Sequence, residues 1–363
     1  MLAGLLVLAW LLVGVSGAYR YVHRYDLYRG FAKPHTPAGV PRGTVSEVRF
    51  RSRALAATEH FDIYLPPGYA AAAAAGRRFP VLYLLHGFPG QPRVFVDAGA
   101  IGVDADVMIA RRAIRPAILV MPAGPKGYFH GDTEWANASA GRWMDEVLEI
   151  VRLVDRRYAT LRDRQHRGLA GLSEGGYGAI NIALRHLGLF SIAQSWSGYF
   201  RQTRSSVFAH ATPAAILANS PVDYVPAMAP RIRRLGFRAW LYQGRVDTSP
   251  PADMTRFGDE LHAAGAEVHY GFFRGGHDWA LWRRQLPHML RVASRWFGQR
   301  PGGARAFSRT GHSLPLPVLQ RIRRARVRRC LAKVPGPGVH IGGGCRRLRR
   351  AHRRALRRAV ASG

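Results

Sequence analysis

Between residues 44 and 298, short apolar runs alternate with longer stretches whose apolar positions recur every three or four residues. The runs PVLYLLHG (80–87), PAILVMP (116–122), HRGLAGL (166–172) and SIAQSWSG (191–198) are nearly continuous, the pattern of strands buried on both faces. RAWLYQG (238–244) and EVHYGFFRGG (267–276) complete this set. Ahead of them, TVSEVRFRS (44–52) and HFDIYLP (60–66) alternate apolar with polar positions and predict an opening antiparallel pair, closed by Pro66, Pro67 and Gly68. The alanine run after Tyr69 reads as a loop insertion. Helical periodicity marks residues 140–159, 175–187, 252–265 and 280–298. Eight strands with helices interposed from the third onward predict an α/β fold, a mostly parallel sheet covered on both faces. No internal repeat is found.

The two ends of the chain depart from this pattern. Residues 1–19, MLAGLLVLAWLLVGVSGAY, carry no charged side chain, which predicts a membrane-targeting segment, either a retained anchor or a cleaved signal with Ser16-Gly17-Ala18 as its site. Arg20, Arg24 and Arg29 follow it, and the positive-inside rule read literally would leave the next domain in the cytoplasm. A membrane-associated protein on the envelope or secreted side is the expectation. Residues 20–42 form a Pro-containing linker, and 43–300 form the α/β domain. Residues 301–363 hold 16 Arg and one Lys with no acid, so 17 of the 32 formal net charges sit there, leaving an ordinary +15 for the rest. This tail reads as a solvated basic extension, as a surface for an anionic lipid or polymer, or as translation past a frameshift; no specific nucleic acid is predicted. The only two cysteines, Cys330 and Cys345, lie in it, so the main domain has no disulfide framework and no thiolate metal site. The sequon at Asn137-Ala138-Ser139 is read as incidental.

Candidate chemistry centres on GLSEGG (171–176), which follows the strand HRGLAGL directly and opens a helical stretch. That strand–turn–helix setting is the one a nucleophile elbow requires, with glycines where side chains would crowd the turn. Ser173 is therefore the candidate nucleophile. A serine hydroxyl needs a base, and the base an orienting acid. His277 lies after the last predicted strand and Asp247 after the one before it, in the chain order Ser, Asp, His that an α/β-hydrolase uses. Asp253 reads instead as a helix N-terminal residue, and Asp278 is too close to His277 in sequence to align with it. The amides of Glu174 and of Phe88, in HGFPG, are the candidate oxyanion donors.

The segments YLLHGFPG, GLSEGGYGAINIAL, WSGYF, GRVD and GGHDWALW together resemble the esterase family of α/β-hydrolases that includes S-formylglutathione hydrolases of the esterase D type, feruloyl esterases and mycolyltransferases. The resemblance runs from about residue 44 to 298. It implies Ser173, Asp247 and His277 as the triad and Phe88 with Glu174 as oxyanion donors. It also implies that GDTEWANAS (131–139) forms part of the substrate cleft, making Asp132 and Trp135 pocket residues, with Tyr177 beside them. Glu174 departs from the family, where Met is common, and puts a carboxylate near the oxyanion. The expected activity is that of a serine esterase acting on a small ester or acyl donor without metal or organic cofactor. An acyltransferase with a sugar or alcohol acceptor, and a non-catalytic membrane-anchored binding protein, are the alternatives.

Overall fold

The computed structural model describes residues 2–21, 25, 27–124, 132–299 and 308–309. Apart from Ser308 and Arg309, the basic tail with both cysteines lies outside the described residues, as do Arg24 and Gly131. The domain is built on eight principal strands: β1 (Thr44–Arg51), β2 (Thr58–Leu65), β3 (Val81–Leu85), β4 (Ile118–Pro122), β5 (Arg167–Leu172), β6 (Ile192–Trp196), β7 (Arg238–Gly244) and β8 (Glu267–Phe273). Their spatial order is β1-β2-β4-β3-β5-β6-β7-β8, and a two-residue strand, Ser308–Arg309, pairs with β8 at the edge. β1 pairs antiparallel with β2 and β2 with β4, while β3 onward run parallel.

The longer helices are α1 (Leu2–Tyr21), α2 (Ile101–Ala110), α3 (Trp143–Arg157), α4 (Glu174–Arg185), α5 (Pro221–Leu235), α6 (Pro251–Ala263) and α7 (Trp279–Trp296). Side chains alternate across the pleat, so β3 feeds two cores at once. Val81, Tyr83 and Leu85 join the core under α3, α4, α5 and α6. Leu82 and Leu84 join the one under α2 and α7. The continuous apolar runs follow from this double burial. Because α2 follows β3 on one face and α4 follows β5 on the other, a crevice opens at the carboxyl ends of these neighbouring strands, where α/β folds place their ligands.

One expectation needs correction, and one helix carried no signal in the sequence. The alanine run is a short helix, Tyr69–Ala74, as alanine's low helical cost favours. Helix α5 forms although Pro226 and Pro230 lie inside it; burial of Val222, Val225 and Ile232 compensates the lost backbone bonds that hid it from periodicity. Among the described residues, no helix is long and apolar enough to cross a membrane.

A buried ion pair ties the amino ends of the last two strands together. Arg238 Nε donates to Glu267 Oε2 at 2.7 Å, with side-chain exposures of 7% and 11%. Removing one partner strands a buried charge, whereas replacing both can be nearly neutral. Glu267→Ala is expected to lower the unfolding free energy by about 3–5 kcal/mol, and Arg238→Met with Glu267→Leu to lower it much less, measured by urea denaturation.

Candidate active site

Ser173 stands between β5 and α4 with φ 55° and ψ −123°, a backbone conformation that L-residues adopt only under constraint. Its neighbours supply that constraint. A side chain at Gly175 would overlap the Leu85 and His86 carbonyl oxygens, and one at Gly171 would overlap the Gly175 carbonyl. The turn is held by the Ser173 amide donating to Trp196 O at 2.8 Å and by the Gly176 amide donating to Ser173 O at 2.9 Å. The strain, of about 1–3 kcal/mol, lifts the hydroxyl out of the sheet into the crevice.

His277 follows β8 and Asp247 follows β7, and both reach the same edge. His277 Nε2 lies 2.8 Å from Ser173 Oγ, and His277 Nδ1 lies 2.7 Å from Asp247 Oδ1. Asp247 also accepts from the Gly244 amide at 3.1 Å, the Thr248 amide at 2.8 Å and Ser197 Oγ at 2.6 Å. Burial alone would raise its pKa; the hydrogen bonds from His277 and Ser197 outweigh burial and hold it below the ordinary carboxylate range. Asp247 thus stays ionised and fixes the ring that faces Ser173.

Sequence reading missed two side chains that brace this line. Ser197, itself at φ 55°, donates to Asp247 and accepts from Trp282 Nε1 at 3.0 Å. Trp282 also meets the His277 ring edge-to-face, with centroids 5.0 Å apart. WSGYF contained the serine, but a hydroxyl next to a strand end carries no distinguishing signal of its own. Asp278 is excluded as the orienting acid, since it caps α7 by accepting from the Leu281 amide at 2.8 Å. Asp253 lies in the first turn of α6.

A cleft of about 620 Å³ opens over Ser173 and His277. Phe31, Phe88, Val94, Trp279 and Trp282 supply much of its wall, with Gly87 and Leu172 beside the serine. A Cβ at Gly87 would stand 2.9 Å from Ser173 Cβ, so only glycine lets the loop carrying Phe88 run this close to the hydroxyl. Phe88 is 46% exposed in the cleft wall. On the other side, α4 begins at Glu174, and its first amides have no intrahelical acceptor. His86 anchors the loop from below: it is buried, with Nε2 2.6 Å from Ala123 O. Burial pushes its pKa down and keeps the ring neutral.

The Glu174 carboxyl turns away from the cleft. It accepts from the Thr133 amide at 3.0 Å and the Thr133 hydroxyl at 2.7 Å. Burial, then the negative charge of Asp132, pushes it up to about 8. Glu134 is pushed up to about 7 by burial and by Asp132, and accepts from Tyr199 Oη at 2.6 Å and Gln202 Nε2 at 2.8 Å. At neutral pH the Glu174 side chain is therefore mainly protonated and adds little negative charge beside the serine.

The residues expected to bind substrate are placed elsewhere. Trp135 is fully buried, donating Nε1–H to His86 O at 2.9 Å. Tyr177 is fully buried as well, donating to Asn219 O at 2.7 Å and stacking on Tyr199. Asp132 accepts from Ser206 Oγ at 2.7 Å and from the Glu134 amide at 2.8 Å. None of the three lines the cleft among the described residues. Asp132 and Trp135 lie on a segment that packs against α4, and Tyr177 lies on α4 itself with its side chain turned inward.

Several known proteins share this architecture. A solved ferulic acid esterase superposes with a TM-score of 0.63 at 24% identity, covering 70% of this chain and 99% of the other. An S-formylglutathione hydrolase from Agrobacterium tumefaciens superposes with a TM-score of 0.58 at 16% identity, covering 74% and 100%. In sequence, an endo-1,4-beta-xylanase/feruloyl esterase of Xylanibacter ruminicola is 26% identical over 258 residues, 69% of this chain. The match spans only 31% of that longer relative. The family model described as "Putative esterase" matches residues 52–293, so the chain belongs to this esterase family and is an enzyme, a hydrolase on the α/β-hydrolase fold.

Proposed function

We propose that the protein is a serine carboxylic-ester hydrolase that works through an acyl-enzyme. The observation that carries this is the unbroken line of hydrogen bonds from Asp247 through His277 to Ser173 Oγ. Ser173 Oγ attacks the ester carbonyl while His277 Nε2 takes its proton, and Asp247 stabilises the resulting imidazolium. The amides of Phe88 and Glu174 face the developing oxyanion from the two sides of the crevice. His277 then gives its proton to the departing alkoxide, leaving Ser173 acylated. Water enters, loses a proton to His277, and releases the acid. The aromatic wall of Phe31, Phe88, Trp279 and Trp282 suits an aryl acyl group, as does the naming of feruloyl esterases among the relatives.

A fluorophosphonate probe should label the wild type and leave Ser173→Ala unlabelled, with kcat/KM on an aryl ester falling about a thousandfold or more. A folded wild type that resists the probe would remove Ser173 as nucleophile. Ser197→Ala removes one of the two hydrogen bonds to Asp247 Oδ2 and leaves the Trp282 N–H without its acceptor. It should lower kcat about tenfold with KM nearly unchanged, read from steady-state kinetics.

The buried Glu174 carboxyl makes a separate prediction about pH. Its folded pKa of about 8 lies above the ordinary 4.5, so between these values the folded chain holds a proton that the unfolded chain has released. Stability from this group is full below the lower value and declines as pH rises to the upper one. Urea unfolding at about pH 5 and about pH 9 should therefore show a smaller decline in Glu174→Gln than in the wild type. Equal declines would mean that Glu174 folds ionised.

A further inference from the structure

On the flank of the domain, away from Ser173, a second cleft of about 520 Å³ lies between the edge hairpin and the carboxyl-terminal half of α3. It is lined by Arg51, Arg53, Arg152, Arg156 and Arg157, with Phe50 and Leu153 between them and Glu149 as its one acid. All five arginines are exposed. Among the described residues, none of their guanidiniums lies within ion-pair distance of a carboxylate. Glu149 does not neutralise them: it accepts from Ser52 Oγ at 2.8 Å, the Arg53 amide at 3.1 Å and the Ala54 amide at 3.1 Å. It thereby pins the hairpin to α3 and sets the width of the cleft.

Local needs of the fold explain only part of this clustering. Arg156 and Arg157 occupy the last turn of α3, where cations complement the helix dipole. Arg51 and Arg53 have no such reason to face them, and Arg152 lies more than a turn from the end. Nearby arginines behave differently: Arg49 on β1 pairs with Glu47 at 2.6 Å, and Arg142, next to the first turn of α3, pairs with Asp145. Five like charges left together repel one another, and an anion between them would reverse that cost.

We propose that this cleft binds a ligand carrying two or more phosphate groups. The argument is charge density. A carboxylate brings one negative charge, so five of them would have to crowd into the cleft. A phosphate ester brings about 1.5 to 2 charges and three acceptor oxygens, and its geometry fits the guanidinium fork. Two or three phosphates in succession match five arginines within this space. The site is separate from the ester-hydrolysing cleft and does not depend on the role of Ser173.

Inorganic tripolyphosphate is the probe, with inorganic phosphate and citrate as comparisons, and the melting temperature of the full chain is the readout. A Tm shift reports only sites that the folded chain builds, because anions held equally by folded and unfolded arginines contribute nothing. Saturating tripolyphosphate should raise Tm by about 5 °C, with smaller shifts from phosphate and citrate at equal concentration. The shift should vanish in Arg152→Glu with Arg156→Glu, and independently in Arg51→Ser with Arg53→Ser. It should persist in Arg231→Glu with Arg234→Glu, the same change of charge on the exposed side of α5. No shift in the wild type, equal loss in all three variants, or citrate acting as well as tripolyphosphate would overturn the assignment.

Discussion

Everything at the active edge depends on one strained residue. Ser173 has a positive φ because β5 must turn straight into α4 with no room for a loop, and that lack of room comes from Leu85 and His86 of the neighbouring strand. The same crowding demands glycine at 171 and 175, and it brings Gly87 against the serine from the β3 side. The hydroxyl, the start of α4 and the loop bearing Phe88 are therefore placed together by a single packing constraint. Relaxing that constraint would displace all three at once.

Around this fixed point, the other groups are held by redundancy. Asp247 accepts hydrogen bonds from two amides, Thr248, Ser197 and His277, more than a carboxylate needs to stay ionised. The excess sets direction: each donor removes one way in which the carboxylate could rotate away from His277. Trp282 closes the arrangement from α7, touching the imidazole with its ring and Ser197 with its N–H. Residues from three strand ends and a helix thereby share one geometry, and no single one of them sets it alone.

How far this was legible in the sequence follows from what each residue type can signal. Nearly continuous apolar runs marked the strands from β3 onward because both of their faces are buried, while alternation marked β1 and β2 at the sheet edge. GLSEGG marked the turn because glycines are needed on both sides of the serine. Histidine and aspartate at successive strand ends stood out as titratable groups in loops. Ser197 and Trp282 did not stand out, since serine and tryptophan serve many structural ends and only three-dimensional proximity distinguishes them. Trp135 and Tyr177 failed in the opposite way: both pack inward, Trp135 because the segment from Thr133 to Ala136 tucks against α4, and Tyr177 because it leaves α4 toward Asn219 and Tyr199. Helix α5 was hidden by its two internal prolines, which local preference counts against a helix and tertiary burial overrides.

The Glu174 carboxyl shows how such inward packing solves an electrostatic problem. An acid beside a nucleophilic serine would oppose charge developing on an ester oxygen if it were ionised and pointed outward. Here its side chain turns into the segment behind α4, where two donors from Thr133 hold it and Asp132 and Glu134 discourage its ionisation. Burial and like charge therefore act together, each favouring the neutral form. The cost of burying Glu174 and Glu134 beside the half-buried Asp132 is met by hydroxyl and amide donors from Thr133, Tyr199, Gln202 and Ser206. Thr133 binds the 132–136 segment to α4, and Tyr199, Gln202 and Ser206 bind it to the stretch that follows β6. A residue that looks hostile to ester chemistry in one dimension thus helps, in three, to anchor the start of α4 beside Ser173.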